Sequence, residues 1–176
     1  MEQEAWLSGA IEGVAPILMP AAHALQQAMR DVKRAAENLT GEELWTKPRG
    51  APSVGFHLLH IAGSIDRLLT YTRGEKLTAE QFAELAAESA EGVSFNTKEL
   101  TQKAVERIEK AIDEIKSIPG ETLFEKRTVG RKELPTNVFG LLFHIAEHTQ
   151  RHTGQVVTTA RIVRKNLSTS TKLLGF

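Results

Sequence analysis

Val138–Arg164 reads VFGLLFHIAEHTQRHTGQVVTTARIVR, the longest segment of the chain with unbroken helical periodicity. At 100° per residue, Leu141, Ile145, Val156 and Val163 mark one apolar stripe, so the spacing predicts a long helix with one face turned inward. Three of the chain's six histidines, His144, His148 and His152, follow one another at intervals of four. On a helix that interval stacks them on successive turns of one face. His148 and His152 fall in the middle of the stripe, and His144 falls on its flank. Burying an imidazole without a polar partner costs on the order of a few kcal/mol. A lone inward histidine usually finds a hydrogen bond in the core, and HxxxH by itself is a weak motif. Two neutral imidazoles at i and i+4 can also converge on one divalent ion, with a third ligand supplied by another element.

The length of 176 residues suits one domain, 1–176, with a real core. Lys plus Arg and Asp plus Glu both number 22, so there is no basic excess of the kind that tracks a nucleic-acid backbone. There are no cysteines, which excludes disulfides, a thiol nucleophile and Cys-ligated zinc. Any metal site must therefore be built from histidine and oxygen ligands. The N-terminal MEQEAW lacks the basic-then-apolar order of a signal peptide, and no apolar run approaches the ~20 residues that span a bilayer. The expectation is a soluble, cytoplasmic protein with neither nucleic acid nor membrane as partner.

Upstream, the chain reads as further helices separated by breakers. Pro16 and Pro20 mark the start of a first long helix over Ala21–Asn38, with Leu25, Met29, Val32 and Ala36 inward. His23 near its start reads as structural or exposed. Thr40 caps a short turn, TGEELW, and Pro48, Gly50 and Pro52 break the connection that follows. Trp45 in that connection reads as core. Ser53 is the expected N-cap of a second long helix, Val54–Thr72, which carries His57 and His60. Periodicity sets His57 on the flank of its apolar stripe and His60 further round, so spacing leans toward His57 as the third ligand. LTAEQFAELAAES predicts a short helix capped at Thr78, with Gln81 as box partner. Thr97–Ser117 predicts a third long helix, capped at Thr97, and Pro119–Gly120 stops it. Glu121–Leu134 reads as a small extended excursion or hairpin, and Pro135 and Thr136 as the entry to the last helix. In the tail, Leu173, Leu174 and Phe176 are candidates to dock back. The long second connection allows its flanking helices to run parallel, which gives an all-α four-helix bundle with a long crossover between helices two and three.

Two motifs on the second and fourth long helices carry a family resemblance. SVGFHLLHIAGS, Ser53–Ser64, resembles the second-helix motif of the DinB/YfiT-like metal-binding superfamily, in which a serine precedes a ligand histidine by seven residues. HIAEHTQRHTGQ, His144–Gln155, resembles the fourth-helix signature, an HxxxH followed closely by Gly-Gln. The HLLH pair is also similar to that of ergothioneine-synthase DinB domains, where the last histidine is the ligand. The likeness extends over most of the chain in helix order and in the long connection. Carried over position by position, it implies a divalent ion at His60, His148 and His152, and imidazole ligands suit Zn or Ni. It implies positions on that ion for water or a substrate thiol, either of which the ion would acidify. Candidates to accept a free imidazole N–H are Glu147, Gln155, Ser64 and Asp66, although Asp66, Arg67 and Glu147 each read first as surface charges. The implied activity is a thiol S-transferase or hydrolase acting on a small-molecule substrate, with a low-molecular-weight thiol as cosubstrate and a homodimer as the working form. The alternative is a non-catalytic, metal-stabilised dimeric module. No Ser-His-Asp arrangement, phosphate-cradling loop or dinucleotide fingerprint competes with these readings.

Overall fold

The computed structural model describes residues 3–89 and 95–164. Among these residues, six α-helices appear in chain order: α1 Met19–Ala36, α2 Gly41–Trp45, α3 Val54–Thr72, α4 Ala79–Ala87, α5 Thr97–Ser117 and α6 Val138–Val163. Two strands, β1 Lys126–Val129 and β2 Leu134–Asn137, form an antiparallel hairpin ahead of α6. The long helices α1, α3, α5 and α6 make the bundle.

Local sequence accounts for most of the boundaries. Ser53 caps α3 by accepting from the Phe56 N–H, and Asn137 caps α6 by accepting from the Gly140 N–H. Thr40 with Glu43 and Thr78 with Gln81 form reciprocal capping boxes at α2 and α4. The cap of α5 differs from the expectation. Asn96, not Thr97, holds the Glu99 N–H, and the Glu99 carboxylate returns the bond to Asn96. Thr97 is the first helical residue, and its hydroxyl instead donates to the Leu39 carbonyl at 2.9 Å. That bond brings the start of α5 to the end of α1. Pro135 and Thr136 also differ, for they pair with Thr128 and Arg127 in the hairpin rather than opening the helix. The first helix starts two residues earlier than expected, at Met19, because a turn over Pro16–Leu18 leads straight into it.

Side-chain ties fix the relative directions. Asp66 pairs with Arg107, and Arg73 with Glu114 at 3.0 Å, so α3 and α5 run parallel on either side of the crossover. Gln150 donates to the Ala24 carbonyl at 2.6 Å and Arg164 to that of Ala35 at 2.9 Å, so α1 and α6 run parallel too. The ring contacts of α3 with α6 run the opposite way: His57 meets His152, and His60 meets His148. These helices close around one apolar core that includes Leu25, Leu58, Ile65, Ile108, Leu142 and Ile145. Among the described residues, no helix is long and apolar enough to cross a membrane. The expected docking of Leu173, Leu174 and Phe176 lies outside the described residues.

Candidate metal centre

The antiparallel seam between α3 and α6 gathers four of the six histidines. His60, His148 and His152, all partly exposed, each offer one nitrogen within 4.8 Å of the other two. Their ring centroids lie 4.4 Å apart for His60 and His152, 4.6 Å for His148 and His152, and 5.1 Å for His60 and His148. His60 Nε2 and His148 Nε2 stand 3.0 Å apart. That is either a hydrogen bond or the separation of two ligands on one ion. Nitrogens ~2.1 Å from a common ion lie ~3.0–3.4 Å apart between right-angle and tetrahedral geometry. The arrangement therefore fits a small divalent cation.

Electrostatics favour the ligand form of these rings. Burial, and then the neighbouring His60, lowers the pKa of His148 to about 4. Burial followed by His60 and His148 lowers that of His152 to about 3. Both are neutral at pH 7, and only a neutral imidazole has a lone pair to give.

Spacing leans toward His57 as the third member, but the group takes His60, the position the family resemblance implies, because the rotation of α3 against α6 turns His60 toward His148. His60 joins the three-ring group. His57 is more deeply buried, and its Nδ1 lies 3.1 Å from Nδ1 of His152. Burial and then His60 lower its pKa to about 4, so it too is neutral at pH 7. His144 stays outside the group; it is exposed and bonds Glu147 at 2.7 Å. His23 is structural, with Nε2 2.8 Å from the Gly9 carbonyl oxygen.

None of the expected carboxylate or polar supports reaches a ring of the group by a hydrogen bond. Glu147 bonds His144 and Arg151, and Asp66 bonds Gln81 and Arg107. The Ser64 hydroxyl donates to the Ile61 carbonyl, and Gln155 is exposed. The carboxylate that does arrive is Glu88, from the crossover segment. Its Oε2 lies 2.7 Å from His60 Nδ1, and its Oε1 accepts from Arg67 Nη1 at 2.7 Å. Burial pushes the Glu88 carboxyl up, but the hydrogen bonds from His60 and Arg67 outweigh it and hold the group below the usual carboxylate range. Nothing in ELAAESAEG marks that glutamate over its neighbours, so only the path of the crossover reveals it.

A family model described as the DinB superfamily matches residues 24–156, well over half of the chain. No curated protein matches the sequence.

Proposed function

The chain belongs to the DinB superfamily, and from that premise we propose that it is a metal-dependent enzyme of the thiol S-transferase or hydrolase type. His60, His148 and His152 hold the ion, Zn(II) or Ni(II), both of which suit imidazole ligands. The observation that carries the reading is the convergence of three imidazoles from two antiparallel helices, with burial keeping His148 and His152 unprotonated.

A divalent ion bound there would supply a Lewis acid that brings the pKa of a water or a small thiol toward neutrality. The chain's own residues account for the rest. His60, His148 and His152 fix where a small nucleophile sits, and their partial exposure gives it a way in. The Phe56 ring stacks on His60, with centroids 5.6 Å apart and planes within 10°, and holds that ring from the side. Imidazole ligands add no negative charge, and Arg67 answers the charge of Glu88. The site is thus suited to an anionic ligand such as a thiolate. On the same reading, the working form is a cytoplasmic homodimer, which light scattering and fractionation test.

Metal content of untagged protein, together with turnover on a panel of low-molecular-weight thiols and small electrophiles, tests the proposal. Wild type should retain about one ion per chain, as one set of three ligands implies. His60→Ala and His148→Ala should each lose both metal and turnover. Retention of metal by His60→Ala with loss in His57→Ala would reverse the ligand assignment. A large chelator-induced loss of stability without turnover on any pair would leave a non-catalytic, metal-stabilised module.

A further inference from the structure

Helix α4 lies across the outside of the bundle and buries none of its own residues. Its C-cap, Glu88, is the exception at the end of this element, only 7% exposed. A carboxylate leaves water at a cost unless its oxygens find donors. Here each oxygen has one, His60 Nδ1 and Arg67 Nη1, both at 2.7 Å. Gly63 on α3 makes room for the pair. A Cβ at that position would overlap Glu88 Oε1 and stand 2.6 Å from Arg67 Nη1. Thus the buried carboxylate, held by the buried guanidinium and given room by the bare stretch of α3, reaches one ring of the histidine group.

We propose that Glu88 is a positioning residue for the metal centre, accepting the Nδ1 proton of His60 while Arg67 holds the carboxylate in place. The inference rests on the metal reading given above. A neutral imidazole carries one N–H and one lone pair. With the proton fixed at Nδ1, the lone pair of His60 sits on Nε2, which faces His148 Nε2. The carboxylate also makes the ring a stronger donor to a cation. The other two rings lack such support. His152 Nδ1 faces only the neutral His57, and His148 Nδ1 is buried with no hydrogen-bond partner among the described residues. Among the described residues, Glu88 is therefore the carboxylate hydrogen-bonded to the group, delivered by the crossover rather than by either ligand helix.

The test compares six forms of the chain, wild type, three variants around Glu88 and two ligand variants, for Zn(II) affinity by chelator competition, and for the His60 tautomer by ¹⁵N NMR wherever that ring is kept. Glu88→Gln keeps the shape and removes the charge. It should weaken Zn(II) binding about 10- to 100-fold, the range found when such outer partners are lost, and release His60 from the single Nδ1–H tautomer. Gly63→Ala keeps the carboxylate in the chain but displaces it, and should weaken binding in the same direction. Asp66→Asn is the control. It loosens the Gln81 and Arg107 ties without touching His60, so it should lower stability while leaving affinity and tautomer unchanged. Zn(II) affinity of Glu88→Gln within twofold of wild type, or a loss that Asp66→Asn matches, would overturn the role given to Glu88. Retained binding in both His60→Ala and His148→Ala would instead overturn the site itself.

Discussion

Burial, ahead of any charge, sets the protonation of the imidazoles. His57 and His148 are lowered to about 4 and His152 to about 3, first by burial and then by neighbouring rings, His60 foremost. In the unfolded chain these groups titrate near 6.5. Above that pH neither state carries the protons, and the full stability is present. As pH falls from about 6.5 toward 4, the unfolded chain takes up protons that the folded rings resist, so stability declines. Glu88 adds to the trend lower down, because its contribution is lost only as pH falls through its depressed folded value. Urea midpoints of the chelated protein at pH 7, 6 and 5 should fall in that order. A flat series would remove burial as the cause. Gly55 gives a second expectation at this scale. A Cβ there would stand 2.6 Å from Trp45 Cζ3, so Gly55→Ala should cost about 1–3 kcal/mol by overpacking. Adding Trp45→Leu should recover much of the loss in the same urea measurement, since the indole is the neighbour in the way.

Among the elements, α4 is fastened unlike the bundle helices. Phe82 and Leu85 are each 41% exposed, so little apolar burial holds it down. Its ties are polar. Gln81 donates to Asp66 and Thr70, the Arg131 guanidinium lies 5.5 Å over the Phe82 ring, and Glu88 reaches inward just beyond the helix. Segments with few buried apolar contacts open at a smaller free energy than the global value. Amide hydrogen exchange in α4 should therefore be faster than in α3 or α6. Protection equal to that of the bundle helices would mean that these polar ties hold α4 as firmly as a core does. The start of α5 offers a cleaner energetic test. Asn96→Ala removes the side chain that holds the Glu99 N–H and should lower stability by about 1 kcal/mol in urea unfolding.

For the molecule as a whole, an ion bridging α3 and α6 would be a ligand of the folded state only. At 100 times its dissociation constant such a ligand adds about 2.7 kcal/mol. For a chain of this size that is roughly 5–10 °C in the thermal midpoint. Chelation should lower the wild-type midpoint by that order and leave His148→Ala unmoved, as read by calorimetry. The same scale shows what could be read in advance. The span of α3, the box at Thr78, the HxxxH of α6 and the all-helical bundle with its parallel α3 and α5 follow from periodicity, caps and connection length. Those signals act between residues about four apart or set how far a link can reach. By itself, then, the sequence determined the rods, their inward faces and the residue type a cation would use. The family motif points to His60 where spacing leans to His57; only tertiary structure brought His60 to His148, set His57 against His152 and carried Glu88 to His60. His60 lies 88 residues from His148 and 28 from Glu88 along the chain. Their meeting depends on the rotation and offset of α3 against α6 and on the path of the crossover. Packing of the whole core sets both, and no local repeat encodes them.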